Sequence, residues 1–361
     1  MKDITKIVLT GGPCAGKTTA LVRIIEHFTS MGYKVFTLPE VPTMFNQAGV
    51  NYLTKNRALF YEIEKSTLLL QMEMEDKFMR MAQQCEKPVL IVCDRGVMDI
   101  SAYLSTEMWH ALLNDIGVNV VKLRDARYDA VVHMVTAANG AAEFYTTANN
   151  DSRTEDVDQA CMLDMKVVSA WTGHPHIRVV DNNVDFEKKI HNVLAEISNL
   201  IGIPQPIELE RKFVVKIIDE IPGCAESEIT QTYLMSEPGT EIRLRKRGSN
   251  GTYVYVQTTK KKVSSTEYIE TERQITPQLY VQLLQQADPK RQSIRKIRKN
   301  FMWNKRYYEL DTYVSPSMDL NILELDGKCG SQEVELPPFL KLVEDVTGNT
   351  DYFSINIALK K

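Results

Sequence analysis

Apolar positions in the first half of the chain change period in a regular order. Short apolar runs at Lys6–Thr10, Lys34–Leu38 and Val89–Cys93 alternate with the longer stretches Thr18–Met31 and Leu59–Gln84, where apolar residues recur at helical spacing. That order reads as βαβαβ and predicts an α/β domain on a mostly parallel sheet. Between Asp185 and Ile201, Phe186, Ile190, Val193, Leu194, Ile197 and Leu200 keep the helical period, and Gly202, Pro204 and Pro206 stop it. The rhythm then changes. Short β-rich runs follow at Glu208–Ile217, Thr230–Leu234, Glu241–Arg247, Tyr253–Thr259, Tyr268–Ile275, Ile294–Phe301, Tyr307–Tyr313 and Asn321–Leu325, with a helical insertion near Pro277–Gln286. They predict an antiparallel barrel or sandwich. Residues 1–203 and 206–361 are therefore read as two domains, in keeping with a length of 361 residues.

Composition excludes more than it selects. With 43% hydrophobic and 25% charged residues, the chain is neither disordered nor fibrous. The longest purely apolar run, Val89–Cys93, is far too short to span a bilayer, and the N-terminal apolar stretch is too short for a signal peptide. A soluble, cytoplasmic protein is expected, with peripheral contact at a membrane compatible with it. The six cysteines are scattered, without disulfide or zinc spacing. A net charge of −4 gives no reason to expect nucleic acid. The charge is nevertheless uneven: 20 Lys and Arg stand against 25 Asp and Glu up to residue 205, and 23 against 22 beyond it.

The chemistry of the first half centres on Gly11-Gly12-Pro13-Cys14-Ala15-Gly16-Lys17-Thr18, followed by Thr19, between a strand and an amphipathic helix. This is GxxxxGK[ST] in the context that a phosphate loop requires. Glycines bring the backbone close to phosphate oxygens, Lys17 reaches the β/γ-phosphates, and the Thr18 hydroxyl ligates Mg²⁺. Asp94, closing the strand Val89–Cys93, is the expected second holder of the metal. Glu40, after the second strand, is a candidate base or substrate ligand, and Arg153, in a polar loop at Asn149–Asp158, a candidate lid arginine that neutralises charge on a transferred phosphoryl group. Asp99 is a weaker acid candidate that also reads as a solvated helix residue, and Gly173-His-Pro-His176 reads as a turn. The set GGPCAGKTT, Pro39-Glu40 and CDRGxxDxxAY from Cys93 to Tyr103 resembles the P-loop family that includes nicotinamide-riboside-type kinases. The guanine-reading NKxD sequence is absent, so the base, GTP or ATP, is not legible from that code.

In the second half, charge alternates with strand period. Glu208, Glu210 and Lys212 share one strand face, as do Arg243, Arg245 and Arg247, Glu270 and Glu272, Lys296 and Arg298, Glu309 and Asp311, and Glu324 and Asp326. Two arrangements fit: a sheet with polar outer faces, or a barrel whose charged faces line a wet interior and hold a polyphosphate with divalent cations. Glu208-Leu-Glu210-Arg-Lys212 is similar to the ExExK signature of the CYTH, or triphosphate tunnel metalloenzyme, family, and Gln231–Leu234, Arg243–Arg247, Lys296 with Arg298, and Glu309-Leu-Asp311 keep that family's order. The resemblance implies that Glu208, Glu210, Glu309, Asp311 and Glu324 face Mg²⁺ or Mn²⁺. It implies that Lys212, Arg243, Arg245, Lys296 and Arg298, with Lys260 or Lys262, grip phosphate oxygens. Asp326 departs from the pattern where a second Glu is common. Lys290–Arg306 holds eight basic residues and no acid, interleaved with Phe301 and Trp303, and suits either a solvated hairpin or an anionic membrane surface.

A P-loop domain followed by a CYTH-like domain resembles the TRPL translocation defect family of GTP-binding proteins that also bind phosphorylated lipid. The resemblance implies a Mg²⁺-dependent, slowly hydrolysing GTP-binding regulator whose second domain recognises phosphoinositide or phosphatidic acid headgroups. The alternatives are a small-molecule kinase fused to a triphosphatase, and a non-enzymatic scaffold with two phosphate sites.

Overall fold

The strand Ile4–Thr10 (β1) ends in Ile7, Val8 and Leu9, none of which has any exposed surface, as a strand covered on both faces requires. In the computed structural model, which describes residues 4–140, 156–202, 211–262, 268–304, 306–316, 319–325 and 335–360, it is the central strand of a parallel sheet. Its companions are Lys34–Leu38 (β2), Val89–Asp94 (β3), Ala130–Met134 (β4) and Ile177–Val180 (β5), in the order β2-β3-β1-β4-β5. The chain divides into two compact units, Met1–Ile201 and Gly202–Lys361.

Helices in the first unit follow local signals. Lys17–Ser30 (α1) buries Ala20, Ile24 and Phe28, one residue per turn. After Val41–Gln47 (α2) comes Arg57–Ala82 (α3), capped by Asn56, which accepts from the N–H groups of Ala58 and Leu59. Thr106–Ile116 (α4) starts on Ser105 and ends on Gly117 in the left-handed region. Val157–Trp171 (α5) begins with a capping box of Asp156 and Gln159, and Phe186–Leu200 (α6) is capped by Asp185. In β1 and β3 Leu9 pairs with Asp94, so the acid closing β3 stands level with the end of β1, where the phosphate loop starts.

The second unit is one antiparallel sheet of nine strands: Arg211–Ile217 (β6), Ala225–Leu234 (β7), Thr240–Ser249 (β8), Thr252–Lys262 (β9), Tyr268–Gln274 (β10), Ile294–Trp303 (β11), Arg306–Ser315 (β12), Asn321–Leu325 (β13) and Leu340–Asp345 (β14). Their order is β10-β9-β8-β7-β11-β12-β13-β6-β14. The expected closed barrel is corrected to an open sheet: among the described residues β10 and β14 are edges that do not pair. The physical reason is β14, which the hydrophobic pattern does not reveal; it takes the free side of β6, whose other side is held by β13. Lys341, Glu344 and Asp345 are exposed on this edge, and such charges oppose pairing with another chain. The helical insertion is Pro277–Leu283 (α7), and Ser354–Ile357 (α8) lies near the end of the chain.

One face of this sheet is apolar. Phe213, Phe301, Tyr308, Leu310, Leu323 and Leu325 form a core with Phe339 and Leu340, and the Phe301 and Tyr308 rings stack at 5.4 Å. Trp303 packs on the same core. Of the aromatic residues in the basic Lys290–Arg306 segment, Phe301 is fully buried and Trp303 partly buried against the same core; Lys299 pairs with Glu226 at 3.1 Å. Phe301→Ala should destabilise the second unit by about 3–5 kcal/mol, read as a lower urea midpoint.

Candidate functional site

The phosphate loop runs from the end of β1 into α1. Gly11 has φ +146°, and a Cβ there would lie 2.1 Å from the Met134 carbonyl oxygen. Gly16, the N-cap of α1, has φ +92°, and its Cβ would lie 2.7 Å from the Phe186 ring. Only glycine satisfies both the dihedral and the space. The Lys17 ammonium donates to the Gly11 carbonyl (3.1 Å) and the Gly12 carbonyl (3.4 Å). Burial, reinforced by the neighbouring Arg95 charge, lowers its pKa to about 8. Thr18 and Thr19 are exposed.

Acids and bases converge on this loop from β2 and β3. The Asp94 Oδ1 is buried without a hydrogen-bond partner among the described residues, and burial raises the pKa of its carboxyl group. A buried carboxylate oxygen at the strand end level with the start of the loop, near enough to Lys17 to feel its charge, fits a divalent cation. Glu40 caps α2 and pairs with the Arg95 guanidinium. Burial would raise the Glu40 pKa, but Arg95 and Lys17 outweigh it and hold the group below its ordinary value. Arg95 has φ +65° and also lies 3.9 Å from Asp99. Asp99 is not a solvated helix residue: it is buried, accepts from the Gly96 N–H at 2.7 Å and from the Thr10 hydroxyl, and closes the turn Val97–Tyr103.

Sequence spacing did not point to the residues beneath the loop. Asp164 of α5 accepts from the Gly12 N–H at 2.7 Å, with His133 Nε2 at 3.2 Å from the same oxygen. Lys189 of α6 donates to the carbonyls of Ala15 (3.1 Å) and Val135 (2.7 Å) and to Asn182 (2.7 Å), and burial lowers its pKa to about 8. The Thr136 hydroxyl donates to the Pro13 carbonyl. The turn His174 bridges the Tyr128 carbonyl and the His176 N–H, a structural role. Arg153, the lid candidate, lies outside the described residues.

The second unit gathers its charges on the sheet face opposite the apolar core. Strand register places Glu270 beside Lys260, Thr258 between Glu272 and Arg243, Arg298 beside Asp311, and Glu309 beside Glu324, which faces Lys212. In its acidic half, Arg298 bonds Asp311 through Nε (2.7 Å) and Nη2 (2.6 Å), reaches Glu324 at 3.0 Å and also bonds Glu309. Lys296 bonds Asp311, and Lys212 lies 2.6 Å from Glu324. Burial would raise the Asp311 pKa, but Arg298 and Lys296 hold it far below the usual carboxylate range. Burial lowers the pKa of Lys296, and the Arg298 charge adds to this against Asp311.

The basic half is less balanced. Arg243 lies 3.1 Å from Glu270, which Lys260 shares at 2.8 Å, whereas Arg245 lies 3.6 Å from Glu272. The Nε atoms of both arginines are buried without a hydrogen-bond partner among the described residues. Burial lowers the Arg245 pKa, and Arg243, Arg298 and Arg247 lower it further, a sign of local positive excess. Glu208, Glu210 and Asp326 lie outside the described residues, and among those described no group of three or more acidic, His or Cys side chains is arranged to hold a metal ion.

A model of the AAA domain family matches residues 6–189, the segment holding the loop, Glu40, Asp94, Asp164 and Lys189. The chain belongs to the AAA domain family. Its nucleotide-binding P-loop is thereby established, while the kinase-type likeness remains one of motifs. No curated protein matches the chain. Two solved structures, one described as a hypothetical protein and one as an inorganic triphosphatase, are each 24% identical to it. The first covers 43% of this chain and 99% of its own, at a TM-score of 0.34; the second covers 44% and 97%, at 0.33. No helix among the described residues is long and apolar enough to cross a membrane.

Two measurements follow for the AAA domain. Nucleotide phosphates favour charged Lys17, so binding above its pKa of about 8 takes up a proton. Affinity should be flat below that pH and weaken above it by up to about tenfold per pH unit, in fluorescent-nucleotide titrations across the range. Asp164→Ala leaves the Gly12 N–H unmet and should cost about 1–3 kcal/mol, whereas Asp164→Asn keeps an acceptor oxygen and should cost less, in thermal or urea melts.

Proposed function

We propose that the AAA domain binds a nucleoside triphosphate with Mg²⁺ and cleaves its γ-phosphoryl bond, and that the charged sheet of the second unit binds a phosphate-rich anion. The observation that carries the first half is the unpartnered Asp94 oxygen beside a complete phosphate loop. Lys17 would exchange its carbonyl partners for β/γ-phosphate oxygens, and Arg95, held by Glu40, adds positive charge where the transferred group develops negative charge. Mg²⁺ held by Thr18 and Asp94 would neutralise the phosphate oxygens. GTP is the proposed nucleotide, on the resemblance of the two-domain order to GTP-binding proteins.

For the second unit, the buried Nε atoms of Arg243 and Arg245 support anion binding. The carboxylates of Glu309, Asp311 and Glu324 are engaged by Arg298, Lys296 and Lys212, which favours anion recognition over metal-dependent cleavage. Polyphosphate and phosphorylated lipid headgroups offer the same oxygens.

Lys17→Ala should weaken GTP and ATP binding at least about tenfold, and competition between the two should favour GTP. Unchanged affinity in the variant defeats the site. Tripolyphosphate calorimetry should show a similar loss in Arg243→Ala/Arg245→Ala, while flotation with phosphatidic acid or phosphoinositide vesicles separates a lipid source from a free one. Phosphate release from tripolyphosphate that Glu309→Gln abolishes would instead make the second unit a triphosphatase.

A further inference from the structure

Successive carbonyls of the phosphate loop are each met by a donor. The Pro13 carbonyl accepts from the Thr136 hydroxyl, the Cys14 carbonyl from the Ala137 N–H at 3.3 Å, and the Ala15 carbonyl from the Lys189 ammonium at 3.1 Å. The donors lie together, since Lys189 also bonds the Val135 carbonyl. A trans peptide points its C=O and the following N–H in opposite directions. The N–H groups of Cys14, Ala15 and Gly16 are therefore turned away from these donors, the arrangement that a phosphate cradle requires. The Gly11–Gly12 peptide is held at both ends as well, Lys17 bonding its carbonyl and Asp164 its N–H.

Lys189 differs from the other donors. It is 3% exposed, and its hydrogen bonds among the described residues all end on neutral oxygens: the Ala15 and Val135 carbonyls and Asn182 Oδ1. The Asn182 amide is oriented by its own bonds, with Nδ2 donating to the carbonyls of Thr136 (2.7 Å) and Asn139 (2.8 Å), which leaves the oxygen for Lys189. Burial lowers the Lys189 pKa to about 8; Asp164 and Asp181 oppose this, and Lys17 adds to it. An ammonium removed from water without a bonded carboxylate is costly. Thr136 and Ala137 orient their loop peptides with neutral donors, so what the lysine adds is its charge.

We infer that Lys189 is a positioning residue of the phosphate loop whose counter-charge is supplied by the ligand, a reading that rests on nucleotide binding at that loop. The ammonium holds the Ala15–Gly16 peptide with the Gly16 N–H turned toward the cradle. Phosphate oxygens on the far side of that peptide complete the charge balance. Attraction reaches across a peptide unit here because Lys189 is buried and little water screens it. Lys17 meets the phosphates directly, whereas Lys189 acts through the loop. The preferred ligand class follows from the same geometry. Loop N–H groups cradle the α- and β-phosphates, so a nucleoside diphosphate or triphosphate engages this charge fully and a monophosphate only in part. A lysine that merely tied α6 to the segment after β4 would show no such dependence on phosphate number.

The test uses the full chain at neutral pH with Mg²⁺, displacing a fluorescent nucleotide with GMP, GDP or GTP and, in parallel, with the adenine series. Lys189→Met should raise the Kd of the diphosphate and triphosphate about tenfold, and that of the monophosphate by less than about threefold. Lys189→Arg keeps the charge and should stay within about threefold of wild type throughout. Asn182→Asp sets a carboxylate against the ammonium while leaving it an acceptor oxygen. It should weaken diphosphate binding about tenfold with Lys189 in place, so the test does not hang on Lys189→Met remaining folded. Equal losses across the phosphate series, a loss that Lys189→Arg shares in full, or unchanged affinity in Lys189→Met or Asn182→Asp overturns the inference. Failure of the wild-type protein to bind any of these nucleotides overturns the phosphate-loop reading instead.

Discussion

A charge removed from water needs a counter-charge, and both units of this protein are organised around that constraint. In the second unit a single guanidinium, Arg298, meets carboxylates from two strands, Glu309 and Asp311 of β12 and Glu324 of β13. In the first, Lys17, Arg95, Glu40, Asp94 and Asp99 surround the phosphate loop, each shifting the charge balance of the others. The difference lies in what is left over. The acidic half of the sheet is paired internally, whereas Asp94 and the arginine pair Arg243 and Arg245 retain polar atoms without partners among the described residues. Those residues are poised for a ligand that brings its own charge.

The phosphate loop is fixed from beneath before any ligand arrives. Asp164 takes an N–H of the loop, Lys189 takes one of its carbonyls and Thr136 another. These contacts come from α5, α6 and the segment after β4, so the loop's shape is a property of the whole first unit. Preorganisation of this kind lowers the ordering cost when phosphate binds.

Much of this was legible in the sequence, and the rest was not for identifiable reasons. The strands from β1 to β3 and their helices follow directly from apolar period, and the loop, Glu40 and Asp94 lie where strand ends place them. Strand alternation also put Arg298, Asp311, Glu309 and Glu324 on one face. Asp164 and Lys189 escaped because they act on Gly12 and Ala15 from far along the chain, and no local pattern marks a buried polar residue on an amphipathic helix. Strand β14 was missed because Leu340-Lys-Leu-Val-Glu-Asp345 is an exposed edge with little alternation, and with it the difference between a closed barrel and an open sheet.

The pairing of Arg298 with Asp311 also bears on how the second unit assembles. Side chains alternate between sheet faces, so a slip of β12 by one residue would turn Glu309 and Asp311 toward the apolar side and bring Leu310 or Thr312, according to its direction, beside Arg298. Such a slip strands several charges in the interior at once, a far larger penalty than exchanging one apolar contact for another. The charged face thus acts as a proofreading device for strand alignment in a sheet whose distant pairings, such as β6 with β14, must otherwise be found late in folding.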